Sequence, residues 1–290
     1  MHKDIKGGFI MFNKKFKKLL SVLILVLIIM LPGCAKKADA SIKVKAQPET
    51  QLTEVDKIKK AGKIVLGTSA DWPPSEFHKE INGKDTIIGS DISIAQEIAK
   101  DLGVELEIKD MKFDGLLPAL QSGNIDFVLS GMAPTEERKQ SVDFSKIYNK
   151  GDQGIIIKTG DKNKFKALND LKAKKIGVQK GSIQVKMAQK QIAEPNLKEL
   201  GSVSDLVLSL KTNKVDAVLC GIEVAKAYAS KNPDITVMDV KLQSDVEGTA
   251  VALKKGNPVL LDAINKTIDR LLASKEIDKF ISDAQTLAEQ

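Results

Sequence analysis

The chain predicts an α/β protein of two lobes, each a mostly parallel sheet flanked by helices, with two crossovers between the lobes and a cleft at their seam. Three observations carry this. Short apolar runs bounded by glycine alternate with segments of helical periodicity; the alternation pauses near residue 145 and restarts at Gly154; and one strand with a helix pair after Gly248 is too little for a third domain and must return to the first lobe. At 290 residues, 42% hydrophobic and 4% aromatic, the composition suits one large or two medium domains of lean α/β type.

Residues 1–34 read as a signal segment: Lys14, Lys15, Lys17 and Lys18, then an apolar run over 19–31 that is short for a membrane span. Met11 offers a second start. This segment holds six lysines against one aspartate, +5 of the net +7, and no basic patch with interleaved aromatics lies beyond it, which argues against nucleic acid. Cys34 and Cys220 sit in contexts too different for a disulfide framework. With His2 and His78 the only histidines, neither a metal nor another cofactor is expected. Residues 35–52, charged, aperiodic and carrying Pro48, form a solvated linker.

Folded structure is expected from a short helix over 53–60 and a buried strand over 63–68 between Gly62 and Gly67. Residues 69–77 form a loop stiffened by Pro73 and Pro74, carrying Asp71 and the only tryptophan, Trp72. Loops at the carboxyl ends of parallel strands are where α/β sheets bind ligands. The indole either stacks on a ligand or plugs an apolar gap. Asp91 is expected to cap a helix reaching Leu102; a half-exposed strand over 104–108 and a helix over 113–121 follow.

A buried strand over 125–129 then breaks into Ser130, Gly131, Met132 and Ala133, small residues that let a ligand approach the backbone. Pro134 and Thr135 open a short helix with Glu136 and Glu137 in its first turn. Arg138 also falls in that turn, where the helix dipole disfavours a cation. Either it is a solvated surface arginine, or it is there to hold a carboxylate. In the second lobe strands are expected over 154–158, 175–178, 215–220 and 236–240, with helices over 182–192, 202–211 and 223–230. A strand over 249–254, a helix over 257–273 and a helix from Glu276 complete the chain.

Five segments carry a family resemblance: Gly67-Thr-Ser-Ala-Asp-Trp-Pro-Pro, Phe113-Asp-Gly-Leu-Leu-Pro-Ala-Leu, Ile125-Asp-Phe-Val-Leu-Ser-Gly-Met-Ala-Pro-Thr-Glu-Glu-Arg-Lys, Ile176-Gly-Val-Gln-Lys-Gly-Ser and Val215-Asp-Ala-Val-Leu. In this order, residues 63–279 resemble the amino-acid-binding family of extracytoplasmic solute-binding proteins that feed ABC transporters. Leu31-Pro32-Gly33-Cys34 resembles the lipobox of bacterial lipoproteins, although Pro32 departs from its usual pattern. The resemblance implies a clamshell that closes on one free L-amino acid, a diacylglyceryl anchor on Cys34 at the outer face of the cell membrane, and a permease as partner. A monomer is the default.

The division it implies is a signal segment over 1–34, the linker over 35–52, a first lobe from 53–148 with 242–290, a second lobe over 149–241, and hinges near 148–153 and 240–244. Carried over by position, Arg138 grips the ligand α-carboxylate, Ser182 and the backbone of Ile183 clamp it from the second lobe, and Gly131 and Ala133 touch its main-chain atoms. Trp72 and Phe113 wall its side chain. The family's acidic residue for the α-ammonium is replaced here by Gly221; Glu223 either takes that role or belongs to the helix that starts there. Asp71 or Glu76 would supply negative charge to a basic side chain, while Ser69 and Gln184 would serve a neutral one; a polar or basic amino acid is favoured, arginine or histidine before glutamine or cystine.

Two other classes compete. An enzyme on the same scaffold, resembling the cyclohexadienyl dehydratases, would need an acid or base such as Asp71 or Glu223; no Ser/His/Asp or Cys/His arrangement supports one. A sensor module would bring a second apolar helix, which the chain to Gln290 lacks.

Overall fold

The computed structural model describes residues 52–290. The signal segment, Cys34 and nearly all of the linker lie outside the described residues.

Thr53 caps α1 (Glu54–Ala61) through a reciprocal box with Asp56, and Gly62 ends it in the left-handed conformation. β1 (Lys63–Thr68) follows. The stretch expected as a loop instead starts a small antiparallel sheet, β2 (Asp71–Trp72), β3 (Glu76–Ile81) and β4 (Lys84–Ile88). Its hairpin turns at Asn82-Gly83, both at positive φ, a pair whose signal the sequence carries.

After α2 (Ser90–Leu102) come β5 (Glu105–Asp110), α3 (Phe113–Ser122), β6 (Phe127–Val128), α4 (Glu136–Lys139) and β7 (Val142–Asn149). The expectation for Asp91 is overturned: the N-cap is Gly89 and Asp91 lies inside the helix, 1% exposed. A side chain at position 89 would strike the Ser75 carbonyl, and φ there is +134°. The second lobe contains β8 (Gln153–Lys158), β9 (Lys175–Gln179), α5 (Ile183–Gln191), β10 (Asn196–Leu200), α6 (Val203–Lys211), β11 (Ala217–Gly221), α7 (Ile222–Lys231) and β12 (Ile235–Val237). β13 (Thr249–Lys254), α8 (Pro258–Ala273) and α9 (Glu276–Glu289) return to the first lobe.

The two large sheets run β5-β1-β6-β13-β7 and β10-β9-β11-β8-β12. Each has three parallel strands joined to an antiparallel one, and that strand, β13 or β8, is the one the chain makes on arriving from the other lobe. Alternation along the strands buries both faces. Ile64 and Leu66 pack beneath α2 and α8 while Val65 turns to the layer of Phe113 and Leu116; Ile155 and Ile157 face one layer of the second lobe and Ile156 the other. The first passage between lobes is residues 150–152. The second lies later than expected: Leu242 is buried in the second-lobe core, Gln243 exchanges two hydrogen bonds with Gln191, and Asp245 pairs with Lys190, so the crossing falls at 246–248 and not at 240–244.

Candidate ligand-binding site

Between the lobes lies a cavity of about 460 Å³. Trp72, Phe113, Ser130, Gly131, Ala133 and Arg138 reach it from the first lobe, and Ser182, Ile183 and Glu223 from the second.

Thr135 caps α4 by accepting from Arg138 N at 3.3 Å, which fixes the backbone beneath the guanidinium. Arg138 Nη1 donates to Ala133 O at 2.7 Å and Nη2 reaches across the seam to Gly181 O at 3.0 Å; the guanidinium carbon stands 5.3 Å from the Phe113 ring centre. No carboxylate pairs with it among the described residues. Burial pulls its pKa down to about 10, so it remains charged at neutral pH. Phe113 is therefore first the seat of Arg138, and a ligand wall only by its remaining edge.

Across the seam Ser182 is the N-cap of α5, and its Oγ is buried with no hydrogen-bond partner. The free N–H groups of the first turn point outward beside it. Ala133 N–H likewise donates to no protein acceptor among the described residues. A half-buried cation, an orphaned hydroxyl, a helix N-terminus and a free amide together make a carboxylate site.

Other expected residues are differently employed. Asp71 does not line this cavity. Its carboxylate accepts from Val203 N and, at 3.3 Å, from Ser204 N at the start of α6, so it bridges the lobes; desolvation lifts its pKa to about 6. Tyr228 Oη donates to its carbonyl at 2.9 Å. The Met132 side chain is 1% exposed within the first-lobe core and its carbonyl accepts from Ala250 N. Ser69, expected for a neutral pocket, borders another cavity with Asp71. Gln184 does line the site, its amide donating to Gln153 Oε1 at 2.7 Å.

Ser130 Oγ donates to Glu76 Oε1 at 3.0 Å and accepts from Ser69 N at 3.1 Å, so its hydroxyl proton is committed to the protein. Gly131 N is likewise engaged, donating to Asp91 Oδ2 at 3.1 Å, which also accepts from Tyr148 Oη at 2.7 Å. Glu76 is fully buried, and desolvation with the neighbouring Asp91 charge holds its pKa well above the usual range. Its Oε2 meets no donor. A proton on Glu76 donated to Asp91 satisfies both, and the one negative charge left on the pair is held by Gly131 N and Tyr148 Oη.

Trp72 stands between two glycines. A Cβ on Gly131 would lie 3.1 Å from indole Nε1, and one on Gly221 3.2 Å from Cζ2; Gly131 also has φ +53°. The indole thus crowds the space an acidic side chain at 221 would enter. Glu223, in the first turn of α7, pairs with Lys226 at 2.8 Å and is 41% exposed, a rim residue. Sequence reasoning missed Ser75, Gln179, Ile281 and Gln285, all of which line the cavity. Ser75 adjoins a recognised motif; Gln285 sits on the last helix and carries no local signal.

Residues 64–283 match the model of the bacterial extracellular solute-binding proteins, family 3. The chain is 36% identical over 222 residues to the arginine-binding extracellular protein ArtP of Bacillus subtilis, covering 75% of this chain and 84% of that protein. It resembles the structure of the amino acid ABC transporter substrate-binding protein AbpA of Streptococcus pneumoniae bound to L-arginine, with a TM-score of 0.78, 40% identity, and coverage of 81% of this chain and 99% of that one. An ancestral arginine-binding protein bound to glutamine matches with a TM-score of 0.71 at 41% identity, covering 77% and 97%.

Proposed function

The chain belongs to family 3 of the bacterial extracellular solute-binding proteins, and from that membership we propose that it captures one free L-amino acid with a polar or basic side chain by lobe closure and delivers it to the permease of an ABC importer. It works outside the cytoplasm. Within this reading it acts as a monomer, held to the outer face of the cell membrane through a lipid on Cys34, and it performs no chemistry on its ligand. The two carboxylates an enzyme would call on are tied elsewhere, Asp71 to α6 and Glu223 to Lys226.

The observation that carries the reading is Arg138, a half-buried cation without a carboxylate partner among the described residues, lining one cavity with Ser182 and Ala133. An α-carboxylate completes that set. Arg138, Ser182, Ile183 and Ala133 hold the carboxylate, Trp72 covers the stem of the side chain, and Gly181 O, already bonded to Arg138, links ligand capture to closure. Position 221 offers no acid for the α-ammonium, which leaves backbone carbonyl oxygens of the cleft to meet it.

Calorimetric titration with the twenty amino acids and cystine tests this. The expected result is tight binding of at least one polar or basic amino acid, abolished by esterifying its α-carboxyl group. Equal binding of the ester, or no amino acid bound, sinks the reading.

A further inference from the structure

Part of the cavity wall is a segment that neither lobe's sheet supplies. Ile281 and Gln285 of α9 line it, with Ser75 from the turn before β3. The terminal helix is firmly placed. Ile277, Ala284 and Ala288 are buried, and α9 packs on α2 and α8 of the first lobe and on α7 of the second. Lys79 Nζ donates to Leu287 O at 2.7 Å, and Ala288 joins Phe77 and Ala227 in a small apolar cluster that spans the seam.

Two neutral polar groups face the cavity from this wall. The Gln285 carboxamide and Ser75 Oγ make no hydrogen bond to the protein among the described residues, although Ser75 is held through its backbone, N to Trp72 O at 2.9 Å and O from Asp91 N at 2.9 Å. The carboxylates on the lining are Glu223, which is paired with Lys226, and Asp152, which is solvent-exposed at the passage between the lobes.

We propose that Gln285, with Ser75, is a specificity-determining residue that reads the end of the ligand side chain, selecting a planar terminus that bears N–H groups, a carboxamide or a guanidinium. This rests on the amino-acid reading above and adds the side-chain class to it. A carboxamide wall both donates and accepts, and so matches another carboxamide. A guanidinium is planar and weakly hydrated, so neutral acceptors replace its water at low cost. A compact ammonium or a carboxylate loses far more hydration than two neutral groups return. An apolar side chain of equal length leaves both groups unpaired.

The test is competitive titration of the parent protein with glutamine, arginine, lysine and norleucine, repeated on Gln285→Leu, Gln285→Glu and Ser75→Ala, with circular dichroism to establish folding. The parent is expected to bind glutamine or arginine at least tenfold more tightly than norleucine and lysine. Gln285→Leu lowers the glutamine-to-norleucine affinity ratio by threefold or more, and Gln285→Glu raises the arginine-to-glutamine ratio by threefold or more. Ser75→Ala lowers the first ratio in the same sense and stands in should the Gln285 variants not fold. A helix that merely supports the fold would shift all four affinities together, leaving both ratios within threefold, and that result overturns the inference while the amino-acid reading survives. A parent that binds none of the four and no other amino acid overturns both.

Discussion

At the scale of single residues, Arg138 and Glu76 pose opposite problems. Arg138 is a cation in want of an anion, so Arg138→Ala removes one partner of the charge-assisted pair proposed with the ligand. The cost should be about 2 to 5 kcal/mol, a weakening of roughly tenfold to several thousandfold by calorimetry, and a loss below about threefold in a folded variant would refute its role. Glu76 is an acid that the fold keeps protonated. Because its folded-state pKa is raised, the stability it contributes is full below its unfolded value near 4.5 and is lost as pH climbs through the folded one. Gln in its place can still accept from Ser130 and donate to Asp91 without needing that proton. Glu76→Gln should therefore melt higher than the parent at about pH 8 and show a flatter dependence of melting temperature on pH. A steeper dependence would mean that Glu76 is ionised in the fold.

At the scale of elements, the informative part is the start of α5. Ser182 occupies the N-cap position yet caps nothing, and its buried Oγ has no partner. A hydroxyl kept in that state costs stability, so Ser182→Ala should leave the melting temperature unchanged or slightly higher. The same change should weaken amino-acid binding by about threefold to tenfold, the value of roughly one hydrogen bond. A drop in stability with unaltered affinity would assign the serine to the helix instead. The strand ends speak similarly. Gly131 holds φ +53° with the Trp72 indole at its back, so Gly131→Ala should destabilise by about 1 kcal/mol or more and displace the ring. Retained stability and an unshifted tryptophan fluorescence spectrum would contradict that packing.

For the whole molecule, the lobes meet through Arg138 to Gly181, Asp71 to the start of α6, and the ion pairs Lys180 with Asp114 and Lys186 with Glu137. Opening breaks all of them, so scattering should show a smaller radius of gyration with saturating ligand than without. Asp71 makes the equilibrium pH-sensitive. In the closed form it sits beside Asp110 and under α6 with a pKa of about 6; with the lobes apart it returns to water and to its ordinary value near 3.8. The closed form thus binds the proton more tightly, and closure is favoured as pH falls through 6 and disfavoured as it rises. Affinity should increase severalfold between about pH 7 and pH 5, and Asp71→Asn should abolish that trend. An affinity that declines over this range would assign the net effect to the charge-assisted bonds with α6.

What the sequence by itself determined is what short-range pattern controls. Alternating and helical periodicities specify an α/β chain in two lobes, because which face of a strand is apolar is a property of its own residues. The motif around Arg138, with Thr135 as its cap, likewise carries its conformation locally, and the family resemblance grouped Arg138 with Trp72, Phe113, Ser182 and Ile183, all of which line one cavity. Tertiary structure alone decided where the carboxylates point. Asp71 turns to an α6 amide more than a hundred residues away, Asp91 leaves its helix for Gly131 and Tyr148, and Glu76 disappears beneath Ser130. It also brought Gln285 to the cavity. Each of these depends on desolvation and on partners far along the chain, and a side chain's direction under those forces is set by the packed whole and by nothing in its neighbours in sequence.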